Sequence, residues 1–265
     1  SLINFGGGRL LANGATTSGS TFMQGLTAAT VYPGGAVIDV SNANVTVNQP
    51  LLAPTGCGIA AIPVAYGGAG YIGAPVVMIS GGSGTGATAI ATVDLSTNSS
   101  TFGQVTGLIV TSPGFGYQAG DALTVSLVRG GYTTLAQAGA PTLAENQTTG
   151  GLTKLGTGTL TLGGINTYGG DTVISNGTLK LGNAKALLTG TGIVLAGGML
   201  DLNGYTVTNT VVGQGTVSNG TICALISPAG EYTVGTETIA LKSALLQGTY
   251  VADVTEDGAC DHLTI

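Results

Sequence analysis

Along residues 150–181 apolar and polar positions alternate with a period of two. Leu155, Thr157, Thr159 and Thr161 fall on one side of an extended chain, and Gly158, Leu160 and Leu162 on the other. The pattern predicts short strands. Gly163 with Gly164, Gly169 with Gly170, and Asn176 with Gly177 interrupt it, and each pair is expected to supply the positive φ of a tight turn. No window carries an apolar stripe at i, i+3, i+4, i+7, so no long helix is predicted.

Composition extends this reading to the whole chain. The 265 residues include 48 Gly and no Trp; 7% are charged and 43% hydrophobic. Disordered chains lack apolar residues, so this one is expected to fold, and scarce Lys, Glu, Arg and Gln argue against helix. An all-β array of rungs of roughly 20 to 25 residues follows, each rung burying its apolar face against its neighbours.

Residues 151–181 resemble the passenger-associated repeat of bacterial autotransporters. Gly151, Leu152, Thr153, Lys154, Gly156, Gly158, Thr159, Leu160, Leu162, Gly164, Asn166, Thr167, Tyr168 and Gly170 match its usual form residue by residue. Residues 190–207, 212–220, 226–230 and 252–265 resemble later rungs of such passengers, and residues 29–52 do so loosely. The resemblance implies a right-handed parallel β-helix displayed outside the cell, extracellular or at the cell surface. It does not imply an enzyme.

About a hundred residues interrupt the rungs. Within them Gly68, Gly70 and Tyr71 before the apolar residues 75–79 recur as Gly114, Gly116 and Tyr117 before residues 121–125. This internal duplication predicts a compact β domain at 54–149, inserted between solenoid rungs at 1–53 and a C-terminal solenoid at 150–265. Its repeat has a weaker likeness to repeats of phage tail and bacterial surface proteins. Residues 1–52 read as two initial rungs.

Charge narrows the partners. The net charge is −6, and the six cations Arg9, Arg129, Lys154, Lys180, Lys185 and Lys242 are scattered, so nucleic acid is not an expected partner. No apolar run reaches the roughly 18 residues that span a bilayer, so no membrane insertion is expected of this segment, and the sequence reads as a soluble mature chain or fragment. Cys57, Cys223 and Cys260 form no Cys-x-x-Cys motif; one bridge with a free thiol, an intermolecular bridge and three buried thiols all remain open.

The chemistry-bearing residues weigh towards structure. Asp253, Asp257 and Asp261 partly mimic a calcium loop, but Thr264 stands where a bidentate acid is needed, and an Asp-Gly turn is the expected reading. His262 is the lone histidine and adjoins Asp261, a poor start for a triad. Asp171 and Asp201 would need to lie about 5 to 10 Å apart for glycoside hydrolysis. The glycines of residues 81–86 lack the Lys-Ser/Thr of a phosphate loop and read as turns. Tyr66, Tyr71, Tyr117 and Tyr132 are either core or a glycan-stacking surface. The Asn-x-Ser/Thr matches at Asn44, Asn98, Asn146, Asn176 and Asn219 read as chance.

No catalytic, cofactor or metal residue is expected. The expected function is structural: a self-assembling subunit of a filament, sheath or matrix, joined by end-to-end strand pairing because neither end of the sequence carries a recognisable cap. A monomeric adhesin that binds a surface glycan through the inserted domain is the alternative, and a carbohydrate-active β-helix enzyme the third reading.

Overall fold

The fold was obtained as a computed structural model, which describes residues 1–12, 20–227, 238–250 and 262–264. Every helix-or-strand element among them is a strand. The first seven are β1 (Leu2–Phe5), β2 (Arg9–Leu11), β3 (Ser20–Met23), β4 (Ala28–Val31), β5 (Ala36–Asp39), β6 (Val45–Val47) and β7 (Leu51–Leu52). Eight follow: β8 (Cys57–Ala61), β9 (Val64–Tyr66), β10 (Val76–Gly81), β11 (Thr85–Val93), β12 (Val105–Phe115), β13 (Leu123–Val128), β14 (Gln137–Ala138) and β15 (Thr142–Glu145). The remainder are β16 (Leu152–Leu155), β17 (Thr159–Leu162), β18 (Thr172–Ile174), β19 (Thr178–Leu181), β20 (Ile193–Asp201), β21 (Thr206–Val207), β22 (Val211–Ile222), β23 (Leu225–Ser227), β24 (Thr238–Leu246), β25 (Thr249–Tyr250) and β26 (His262–Thr264). They divide into two compact units, one of Ser1–Ala53 with Thr148–Ile265 and one of Pro54–Gln147.

The first unit is a parallel β-solenoid. One track of strands runs β2, β5, β16, β18, β20, β22, and another runs β3, β6, β17, β19, β20, β22. The stacked partners Leu152, Thr172 and Ile193 set a turn of about 20 residues. Alternation puts every second side chain inward, so like residues stack: Val45, Leu160, Leu179, Leu200, Val217 and Leu241 form one buried column. Each buried leucine in such a column contributes about 1.5–3 kcal/mol. The register survives the interruption, since Leu152 pairs with Ala36 and Leu160 with Val45 across more than a hundred residues of sequence.

The second unit is antiparallel throughout. Its four-stranded sheet has the order β12-β11-β10-β13, and β8 pairs with β15 and β9 with β14. The duplicated segments meet at its centre: β10 of the first copy pairs antiparallel with β13 of the second, from Val76 with Val128 to Gly81 with Leu123. The paired tyrosines Tyr71 and Tyr117 are both buried, each following a glycine at positive φ, Gly70 (φ 75) and Gly116 (φ 77). Tyr71 joins Ile59, Val105 and Leu127 in the unit's own core.

One expectation about the turns is overturned. Of the five turn glycines expected at positive φ, Gly177 adopts it (φ 62), whereas Gly163, Gly164, Gly169 and Gly170 do not. Those four are required by stacking instead. A Cβ at Gly170 would lie 2.3 Å from the Thr149 carbonyl oxygen, and one at Gly163 2.1 Å from the Asn48 amide oxygen. Rungs this close leave no room for a side chain where one turn crosses the next.

Lys154 is the other departure from local pattern. It occupies an inward position between Ile38 and Ile174 in the neighbouring rungs and is fully buried. Its stem fills the column as an isoleucine would. Its ammonium donates to the carbonyls of Gly156 (2.5 Å), Gly158 (2.6 Å) and, one rung on, Asn176 (2.7 Å). One side chain therefore satisfies two stacked turns.

Burial pushes the Lys154 ammonium down from 10.5 to about 8, and the Asp39 carboxylate partly opposes it. Lys154→Met relieves that burial but strands the Gly156 and Asn176 carbonyls, while Gly158 keeps the amide of Thr178. The stranded acceptors dominate, and urea unfolding is expected to show a loss of about 1–3 kcal/mol. Between about pH 8 and 10.5 the unfolded chain holds this proton and the folded chain does not, so wild-type stability rises with pH relative to the variant there. A gap that is constant across that window contradicts the assignment.

Candidate ligand groove

Asp253, Asp257, Asp261 and Cys260 lie outside the described residues, and His262 is described only as part of β26. Cys57 and Cys223 are free and half-buried, with the Cys223 thiol 3.3 Å from the Gln247 amide oxygen. Asp171 and Asp201 are committed to separate turns. Asp171 accepts from the Gly192 amide (2.8 Å), whereas Asp201 accepts from the Asn203 amide (2.9 Å) and the Asn219 side chain (3.1 Å) and faces Lys180 at 3.7 Å. Residues 81–86 run from the end of β10 through the connection 82–84 into β11, and Asp121 clamps that connection by accepting from Ser83 and Gln118. Those hydrogen bonds, the Gln118 amide foremost, hold its carboxyl below the usual range.

The polar motif residues of the repeat build scaffold. Asn166 is buried, accepts from the Leu51 amide (2.8 Å) and donates to the Ala186 carbonyl (2.7 Å), tying together three successive turns. Tyr168 is buried with its hydroxyl 2.7 Å from that of Thr172, and desolvation raises its pKa far above the ordinary value. None of these groups is left over for a ligand.

The four tyrosines of the second unit divide. Tyr71 and Tyr117 are core, while Tyr66 (50%) and Tyr132 (42%) are exposed. The reason lies in how the two copies differ after their central strands. In the first copy the chain turns at residues 81–84 and returns beside β10 as β11. In the second, Arg129 (φ 69), Gly130 (φ 87) and Gly131 (φ 74) stand consecutively at positive φ, and the chain leaves β13 to pair elsewhere: Thr134 with Ala69, Gln137 with Tyr66, Ala138 with Val64.

A groove of about 480 Å³ opens between the two strands that did not pair, with residues 125–128 on one wall and Tyr132 and residues 135–138 on the other. Among the described residues, those that line it are all uncharged. Tyr132 packs against Tyr71 at a ring separation of 5.5 Å, which fixes its orientation at the rim. The Ser126 and Tyr132 hydroxyls and the Gln137 amide hold no hydrogen bond among the described residues. Sequence reasoning singled out Tyr132 through its residue type; Ser126, Leu135 and Gln137 carried no signal, because they meet only through the pairing with residues 64–69.

Beside the groove, the outer face of the four-stranded sheet is also uncharged. Ile109, Ile90, Val76 and Val128 are cross-strand neighbours in one row, with Met78 next to it, and Thr88 and Thr111 share a hydrogen bond at 2.8 Å. Ile109, Ile90, Val76 and Met78 are each more than half exposed.

Comparison with known families places a passenger-associated-transport-repeat model on residues 152–181. No curated protein and no solved structure matches the chain. The matched residues span β16 to β19, so the solenoid carries an autotransporter passenger-type repeat in which Lys154, Asn166 and Tyr168 serve the fold.

Arg129 is the non-glycine among the three residues that open the groove, and a left-handed conformation costs an L-residue about 1–2 kcal/mol. Arg129→Gly is expected to raise stability by up to about 1 kcal/mol, part of the relief being offset by the freer unfolded chain. An unfolding midpoint that falls instead would show that the arginine side chain contributes more than its backbone costs.

Proposed function

We propose that this chain is a surface-exposed, passenger-type protein in which the solenoid presents the 54–147 unit, and that recognition takes place on that unit. The distribution of exposed apolar side chains supports this reading most directly. Among the described residues, ten of the thirteen exposed large hydrophobics lie in the 54–147 unit and three, Leu11, Ile165 and Leu245, in the solenoid. The solenoid spends its aliphatic residues on inward columns, whereas the second unit leaves a row of them on an uncharged sheet face. Contiguous exposed apolar surface of this kind marks interaction sites. The reading involves no catalysis, which is supported by the commitment of Asp171 and Asp201 to separate turns.

End-to-end assembly is a second reading with its own support. Among the described residues, strands β1, β2 and β3 each pair on one side, with β4, β5 and β6. They offer an open edge to a further parallel rung, from the same polypeptide or from a second copy.

Particles coated with the full chain are expected to adhere to a partner surface, and particles coated with a variant joining Ala53 to Thr148 are expected not to. Because that deletion can fail for reasons of folding, Met78→Lys with Ile90→Lys is the companion variant. It is expected to keep the unfolding free energy within about 0.5 kcal/mol and to lose adhesion. Undiminished adhesion in both variants sinks the reading. Protease shaving of intact source cells tests the location, and light scattering across concentration with electron microscopy tests the assembly reading.

A further inference from the structure

We infer that the groove between β13 and residues 132–138 is a binding site for a neutral oligosaccharide. The inference rests on the reading of the 54–147 unit as the part that recognises partners. A sugar ring presents an apolar C–H face and a rim of hydroxyls. The groove meets both: Tyr132 at the rim and Leu135 give apolar surface, and the Ser126 and Tyr132 hydroxyls with the Gln137 amide give donors and acceptors free of any partner among the described residues. Tyr66, half-exposed and directly across the strand pair from Gln137, extends the same surface. These groups exchange water for sugar hydroxyls on binding, so none is left stranded.

Charge selects within the class. No cation among the described residues lines the groove, and the unit holds Asp94, Asp121 and Glu145 against Arg129, so an acidic sugar gains no ion pair and meets net repulsion. An added peptide strand is the other occupant an open sheet edge invites. β14 packs against β13, the strand at the edge of the sheet, which favours a ligand held by side chains over one held by main-chain hydrogen bonds.

The chain contains no Trp, so tyrosine emission is not masked, and the part of a ligand-induced change that Tyr132→Ala removes is assigned to the groove. The full chain is titrated with neutral hexasaccharides (cellohexaose, laminarihexaose, mannohexaose), with a hexagalacturonate and with an uncharged β-forming hexapeptide, by tyrosine fluorescence and calorimetry. At least one neutral hexasaccharide is expected to bind. Tyr132→Ala and Gln137→Ala are expected to weaken it about tenfold each, the loss of one stacking or hydrogen-bonding partner. Tyr132→Phe keeps the ring and its packing on Tyr71 but loses the hydroxyl, and is expected to weaken binding less than Tyr132→Ala does. Absence of binding to every neutral probe at millimolar concentration overturns the proposal, as does equal binding by the alanine variants. Binding of the hexagalacturonate or the peptide in place of the neutral sugars overturns it too. Adhesion that is lost with residues 54–147 yet survives both alanine substitutions discards the groove and leaves the display reading standing.

Discussion

The close crossing of one turn over the next is the constraint on which the solenoid depends. Parallel strands stacked at about 4.8 Å bring their connecting turns equally close, and in this chain backbone atoms fill the space where a side chain would otherwise begin. A Cβ at Gly158 would lie 1.9 Å from the Ala43 carbonyl oxygen, and one at Gly248 1.8 Å from that of Ala224. Glycine abundance here is therefore mostly a matter of clearance between rungs. The columns of Leu, Ile and Val supply the driving force, but they can stack in register because the corners permit it.

Turns that crowd together leave carbonyl and amide groups facing each other rather than water. The chain answers with side chains that reach from one rung to the next: Lys154 to Asn176, Asn166 to Leu51 and Ala186, Asn183 to Gly163 and Gly164. The polar motif residues of the passenger-type repeat are satisfied by this work. A buried ammonium is ordinarily costly, and its retention at Lys154 reflects a place where a single flexible side chain meets three acceptors that no backbone donor reaches together.

The second unit solves a different problem with the same composition. Two copies of one segment lie side by side through β10 and β13, and both bury their tyrosine. Symmetry then breaks at three consecutive positive-φ residues, which send the second copy away from its own central strand. The groove exists because of that departure.

Periodicity and punctuation were legible in the sequence, and they determined the all-β class and the solenoid repeat from Leu152 onward. A period of two and a 20-residue repeat are local properties, carried by residues within reach of each other along the chain. What the local pattern could not convey was the identity of each residue's neighbour in the next rung. Whether a glycine serves φ or clearance, whether Lys154 points in or out, and whether strands pair parallel or antiparallel all depend on that neighbour. The groove is the extreme case, since Ser126, Tyr132 and Gln137 become one site through the pairing of residues 132–138 with residues 64–69. Only the tertiary structure decides such contacts, because free energy is settled by partners in space while the sequence displays partners in order.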